Sequence, residues 1–190
     1  MSVSLIFGFS GGYLLEESQK STFLKQKELE ELAQRDKLTG LYNRQKLEEN
    51  IKIELENARR YKHNFGIIIF DIDHFKSVND TYGHQVGDSI LIDISRVAKE
   101  QIRLCDSLFR WGGEEFMLIC LEVNKSEIEL IAQKLKNAVQ SQKYPQVTEL
   151  TISLGMTINQ KDDEIMSIIK RADDALYLAK NSGRNCAKYL

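Results

Sequence analysis

Apolar and polar positions change their period several times along the chain. From Ser21 to Arg35, Leu24, Leu29 and Leu32 stand among Lys, Glu and Gln with no Gly or Pro, which predicts a helix. The stretch is too short for sustained heptads, so a solvated linker helix and a short parallel coiled coil both remain open. Gly40 and Asn43 break the pattern, and a helical stretch follows from Arg44 to about Lys62. Phe65 to Ile72 is then almost continuously apolar, with Ile67, Ile68, Ile69 and Phe70, the signature of a buried strand. Beyond it the pattern predicts a helix from about Val86 to Leu104, a hairpin from Ser107 to Leu121 and a helix from Lys125 to about Gln142. Pro145 marks a turn, and Val147 to Ile158 reads as a strand pair or one long strand. A helix from Asp163 to Asn181 and a terminal strand from Asn185 to Tyr189 complete the series. Helices alternating with strands, one hairpin among them, imply an α/β fold with a mixed central sheet flanked by helices.

Composition adds bounds. With 190 residues, 42% hydrophobic and 28% charged, the chain suits one α/β domain plus a short extension. A net charge of -2 provides no global basic field, so no nucleic acid is expected as a partner and any phosphate must be held by a local site. Cys105, Cys120 and Cys186 form no C-x-x-C pair and are odd in number, which points to reduced thiols and a cytoplasmic setting. Ser2 to Leu15 is uncharged but, at 14 residues, shorter than the roughly 20 that span a bilayer. Three readings of it stay open: the remnant of a membrane anchor upstream of or within residues 1–15, a disordered tail, or a small packed piece. The first two are favoured, and the first makes the rest the cytoplasmic part of a membrane-anchored sensor. The chain thus divides into a tail over 1–20, a helical linker over 21–35 and a domain over 36–190.

The candidate chemistry is acidic. The strand ending in Phe70-Asp71-Ile72-Asp73 delivers two carboxylates to a sheet edge, read as standing on opposite sides of the pleat with different jobs. Arg110-Trp111-Gly112-Gly113-Glu114-Glu115-Phe116 reads as a hairpin with the two glycines in its turn and a carboxylate directly after them. A lone aspartate at a strand end is usually a cap or turn residue. Two acidic strand ends brought together point instead to Mg²⁺, which prefers carboxylate, carbonyl and phosphate oxygens.

These residues, with Asp36-Lys37-Leu38-Thr39-Gly40-Leu41-Tyr42-Asn43-Arg44, the run from Phe70 to Asp88, Ala179-Lys180 and Gly183-Arg184-Asn185, resemble the GGDEF family of diguanylate cyclases. The variant signature here is Gly112-Gly113-Glu114-Glu115-Phe116, and the resemblance covers roughly Asp36 to Tyr189. It implies a palm-like sheet of βαββαβ, ferredoxin-like type, related to nucleotidyl cyclases. It implies condensation of two GTP into cyclic di-GMP and two pyrophosphates by a homodimer of half-sites, with two Mg²⁺ per site and Mn²⁺ as the alternative.

By the same resemblance, Asp71, Glu114 and the Ile72 carbonyl hold metal, with Glu115 as a second-line ligand. Glu114 also helps deprotonate the attacking 3′-hydroxyl, and Lys76 stabilises charge at the phosphates. Asn79, His84 and Asp88 hold the nucleotide, Lys180 and Arg184 the triphosphate. An aspartate accepting from guanine N1 and N2 beside a pairing amide predicts GTP over ATP. Arg103-Leu104-Cys105-Asp106 is an R-x-x-D run with five residues between it and Gly112, matching a product-inhibition site in which Arg103 and Asp106 bind cyclic di-GMP.

Taken singly, these residues read more blandly: Lys76 as a solvated lysine on a short helix, Asn79-Asp80 and Gly83 as a turn, Gly87-Asp88 as a helix start. Lys180 and Arg184 read as helix C-terminal cations about one turn apart, and Arg103 to Asp106 as a helix end and turn. Three rival functions are a catalytically inactive GTP sensor or cyclic di-GMP receptor, a purely structural dimerisation domain, and a cyclase of altered nucleotide choice. The intact Asp71, Lys76 and Gly-Gly-Glu-Glu-Phe run weighs against the first, and Asn79 with Asp88 against the last.

Overall fold

The computed structural model describes the backbone of residues 3–190 and the side chains of Glu17 and residues 19–190. Two units are present, divided between Arg35 and Asp36. The first contains helix α1 (Val3–Ala33), so the helix expected over 21–35 extends back to Val3. Phe23, Leu24, Leu29 and Leu32 are exposed on it. Among the described residues no helix is long and apolar enough to cross a membrane. The readings of residues 1–15 rest on side chains outside the described residues.

The second unit runs α2 (Arg44–Tyr61), β1 (Phe65–Ile72), α3 (Phe75–Tyr82), α4 (His84–Gln101), β2 (Ser107–Gly112), β3 (Glu115–Leu121), α5 (Lys125–Ser141), β4 (Ile152–Ile158), α6 (Ile165–Asn181) and β5 (Ala187–Tyr189). Its five strands are ordered β2-β3-β1-β4-β5. β1 is antiparallel to both β3 and β4, whereas β4 and β5 are parallel, so the sheet is mixed as the sequence implies. The β1-to-β4 portion has the βαββαβ connectivity, with the first crossover split into α3 and α4.

Local chemistry sets the elements. Asn43 caps α2 by accepting from the Lys46 N–H at 3.2 Å, and Asn124 and Glu127 form a reciprocal capping box on α5. All eight residues of β1 are buried because the strand is central and covered on both faces. Ile68, Phe70 and Ile72 belong to the core shared with α3, α4 and α5, while Phe65, Ile67 and Ile69 pack with Leu47, Ile51 and Leu55 of α2 and Ile168, Ala172 and Leu176 of α6. Each such large side chain contributes about 1.5–3 kcal/mol when fully buried.

Gly155 of β4 lies against the α6 backbone at Ala172 and Leu176, where a Cβ would overlap that backbone. With Ala172, Ala175 and Ala179 all buried, α6 approaches the sheet closely and carries Lys180 to the end of β1.

Three expectations change. Asn79 and Asp80 lie within helix α3 rather than in a turn, because Phe75 and Val78 both bury against the core before Gly83, at φ +83°, ends the helix. The following helix begins at His84, so Gly87 and Asp88 lie inside α4 and not at its start. Val147 to Ile158 resolves into the single strand β4 preceded by an isolated Tyr144–Val147 bridge.

Candidate active site

The sheet edge formed by the end of β1 and the β2–β3 turn gathers the acidic residues. Asp71 is paired across the sheet with Glu115, and the intervening turn residues of the hairpin are Gly113 and Glu114. The sequence placed Gly112 and Gly113 in that turn. Instead Gly112 still pairs with Glu115, after a register irregularity between Arg110 and Gly112, and only Gly113 takes the left-handed conformation, at φ +55°. That shift puts Glu114 on the turn and Glu115 on the strand.

Asp71 and Asp73 do not stand on opposite sides of the pleat. A two-residue spacing returns to the same side. Ser153, the cross-strand partner of Asp71, donates to Asp73 Oδ1 at 2.6 Å. Asp73 also accepts from the Thr151 hydroxyl at 2.7 Å and from the Asn185 N–H at 3.0 Å. The division of labour nevertheless stands: Asp73 ties the end of β1 to the start of β4 and to the loop after α6, while Asp71 turns to a cation.

That cation is Lys180, whose Nζ lies 2.8 Å from Asp71 Oδ2. Even so, burial pushes the Asp71 carboxyl above its ordinary value, with repulsion from Glu114 and Asp73 adding to it and Lys180 opposing. Glu115 is raised as well, by burial first and then by Asp71, Asp173 and Glu114, again against Lys180. The pattern is one of excess negative charge at a partly buried edge.

A divalent cation fits that edge. Its donors are all hard carboxylate oxygens, and their mutual repulsion is what a dication relieves. Among the described residues, no group of three or more His, Cys, Asp and Glu converges closely enough to hold a metal. Asp71, Glu114 and Glu115 share the edge without forming such a group, and a Mg²⁺ ion there would draw its further ligands from water and phosphate oxygens. Ile72 lies beside Asp71 at the end of β1, paired with Ile152.

The other expected residues fall into three groups. Lys76 is exposed on the first turn of α3. Asn79, half-buried on α3, packs its side-chain oxygen against Gly87 of α4 in space that a Cβ would occupy, which brings it next to the residue preceding Asp88. His84 and Asp88 are exposed on the first turns of α4. Arg184 is exposed too, but it is not a helix C-terminal residue: it lies past Asn181 with φ +64°, in a loop fastened through Asn185 to Asp73. A cavity of about 440 Å³ beside this loop is lined by Asp73, His74, Tyr82 and Arg184 among others. A larger cleft of about 590 Å³, bordered by Arg59, Lys62 and Lys161, lies at the other end of the sheet, so cavity size does not locate the acidic edge.

Arg103 and Asp106 also lie at that other end, where Asp106 Oδ1 accepts from the N–H of Leu121, the residue paired with Phe65 at the start of β1. The Asp106 side chain is fully enclosed. It accepts from the Arg103 N–H at 3.1 Å and faces Arg103 Nε at 3.5 Å. Arg103 is about half exposed. The turn is thus held by Asp106, whose enclosed carboxylate is not open to a ligand as the resemblance implied, and offers Arg103 outward.

One group went unread in the sequence. Arg110 donates through Nε and Nη2 to the Gly113 carbonyl at 3.1 and 2.8 Å, and through Nη1 to both Asp36 oxygens at 3.0 and 3.1 Å. Burial works against the Asp36 charge, but bonds from Thr39 and Arg110 outweigh it and hold the carboxyl below its ordinary range. Arg110 therefore clamps the turn that carries Glu114. Its signal was weak, since its partners are a backbone carbonyl and a residue 74 positions away.

Comparison with known proteins places this arrangement in a family. The model of the diguanylate cyclase GGDEF domain matches residues 33–186. The chain is 41% identical over 160 residues to the uncharacterized protein YtrP of Bacillus subtilis, covering 83% of this chain and 26% of that protein. It is 33% identical over 190 residues to the probable diguanylate cyclase DgcC of Escherichia coli K12, covering 97% of this chain and 51% of that protein. The chain thus spans about half or less of the length of these relatives. Among solved structures, the coiled coil and GGDEF domain of DgcB from Caulobacter crescentus in complex with c-di-GMP superposes with a TM-score of 0.85 at 26% identity, covering 94% of this chain and 98% of that one.

Proposed function

Because the chain belongs to the GGDEF domain family of diguanylate cyclases, we propose that it condenses two GTP molecules into cyclic di-GMP, releasing two pyrophosphates. The observation that carries this reading is the convergence of Asp71, Glu114, Glu115 and Lys180 on one sheet edge, with crowded carboxylates beside a cation.

In this reading Asp71, Glu114 and the Ile72 carbonyl hold two Mg²⁺ or Mn²⁺ ions, with Glu115 completing the shell. Such ions lower the pKa of a bound hydroxyl and neutralise charge on the attacked phosphate and the leaving group. Glu114, on the turn clamped by Arg110, takes the proton of the 3′-hydroxyl. Lys180 and Arg184 hold the triphosphate from the α6 end, and Lys76 adds charge from α3. Asn79 and Asp88 pair with guanine, His84 flanks them, and adenine leaves their polar groups unpaired. The close Asn79–Gly87 contact supports that pairing, since it presents the amide beside Asp88.

One such edge activates one GTP, and closing the ring takes a second. Two chains with facing sites complete the reaction, each 3′-hydroxyl attacking the α-phosphate bound by the other. Helix α1 joins two copies and raises their effective concentration. Product binds at the far end of the sheet, where Arg103 contacts guanine or phosphate and the enclosed Asp106 holds the turn in place. GTP as substrate and thiols kept reduced make the cytoplasm its setting.

The test of the half-site reading is specific activity with GTP and Mg²⁺ over a dilution series. It falls as dimers dissociate, whereas activity per chain that stays constant through the dissociation range, set by sedimentation, overturns the reading.

A further inference from the structure

We propose that Lys180 is a placeholder cation: in the nucleotide-free chain it occupies Asp71 and keeps metal out, and it transfers to the triphosphate when metal and GTP enter together. This rests on the reading of Asp71 as a metal ligand and adds the order in which the site fills.

The geometry sets two cations against one carboxylate. Lys180 Nζ is 2.8 Å from Asp71 Oδ2, in a pair whose side chains are 31% and 11% exposed. A Mg²⁺ ion on the same carboxylate would sit about 2.0–2.1 Å from its oxygen. An ammonium kept at its present distance would then face a dication within a few ångströms, and the repulsion between them grows as solvent is excluded. Metal and Lys180 therefore compete for Asp71.

The two competitors differ in mobility. The α6 backbone packs directly on Gly155 at Ala172 and Leu176, one turn before Lys180. Its four-carbon stem lets the charged head swing without moving the helix. Asp71 cannot swing comparably: it lies within a fully buried strand, paired on both sides, to Glu115 and to Ser153. When metal arrives alone, the displaced ammonium loses a close anion and gains only water. When metal arrives with a triphosphate, the ammonium gains phosphate oxygens as it leaves the carboxylate. Metal and nucleotide are thereby coupled positively, each binding more tightly in the presence of the other. The empty site keeps its carboxylates partly neutralised without trapping a metal.

The experiment is Mn²⁺ binding without nucleotide, read from loss of the free-ion electron paramagnetic resonance signal, on the wild-type chain, Lys180→Gln, Lys180→Arg and Asp71→Asn, each checked for folding by circular dichroism melting. Lys180→Gln binds Mn²⁺ alone about tenfold more tightly than wild type, and binds GTP in the presence of Mn²⁺ more weakly. Lys180→Arg, which keeps a cation at Asp71, stays near wild type in Mn²⁺ affinity. Equal or weaker Mn²⁺ affinity in Lys180→Gln overturns the placeholder, as does an equal gain in Lys180→Arg. Undiminished Mn²⁺ binding in Asp71→Asn instead overturns the assignment of Asp71 as a ligand, a separate failure that the same data distinguish.

Discussion

Glu115 stands directly across the sheet from Asp71, whereas Glu114 occupies the turn beyond it. The two adjacent glutamates therefore differ in what holds them: Glu115 is fixed by strand pairing, and Glu114 by the clamp of Arg110 on Gly113.

That difference sets a pH dependence. Burial and Asp71 raise the Glu115 pKa in the folded chain, so the folded state holds this proton more readily than the unfolded one. Stability then falls as pH rises from the ordinary value of 4.5 through the raised folded value, and the penalty is complete above it. Metal-free Glu115→Gln should melt above wild type near neutral pH. The difference should vanish in acid, where the glutamate is protonated in both states. A Glu115→Gln melting point equal to or below wild type at neutral pH contradicts the charge crowding.

The Arg110 clamp should show in the rate rather than in binding. Arg110→Gln releases the Gly113 carbonyl and leaves Asp36 without its guanidinium, so kcat should fall about tenfold or more with KM for GTP nearly unchanged. Asp36→Asn should lower kcat less, because the two bonds to Gly113 survive. Steady-state kinetics separate these outcomes, and a change confined to KM would show that the clamp does not position the turn.

Guanine selection is tested by substrate competition. Asn79→Ala and Asp88→Ala should each reduce discrimination of GTP over ATP by about tenfold or more, since each removes bonds that adenine cannot make. Binding of both nucleotides weakened in parallel would assign these residues to the fold instead.

The turn proposed as the product site offers Arg103 outward while Asp106 is enclosed. Arg103→Ala should raise the cyclic di-GMP concentration for half-inhibition about tenfold or more. Asp106→Ala should also lower the melting temperature, because the N–H groups of Arg103 and Leu121 lose their acceptor. An unchanged inhibition curve for Arg103→Ala rules out this turn as the product site.

What the sequence made legible follows from the range of the forces involved. β1, the β2–β3 hairpin and α5 were readable because a continuous apolar run, a glycine turn and a capped amphipathic stretch are local patterns. The extent of α3 over Asn79 and Asp80 escaped because two buried positions, Phe75 and Val78, are too few to establish a period, and its stability comes from packing on the core. The acidic edge could be anticipated from Asp71 and the Gly-Gly-Glu-Glu run. The shared side of Asp71 and Asp73, the one-residue shift of the turn and the Arg110 bridge to Asp36 depend on register and on contacts between distant segments. Lys180 on Asp71 is of the same kind: sequence marked it as a phosphate ligand, but its present partner is set by how closely α6 packs over Gly155.

The most direct measurement is chromatographic identification of the nucleotides formed when the concentrated chain is incubated with GTP and Mg²⁺, beside Glu114→Gln matched for folding. Wild type should yield cyclic di-GMP with two pyrophosphates per molecule of product, and Glu114→Gln should lose at least about a hundredfold in rate. Absence of cyclic di-GMP from the wild-type reaction, or its formation at the same rate by Glu114→Gln, would contradict a diguanylate cyclase centred on this edge.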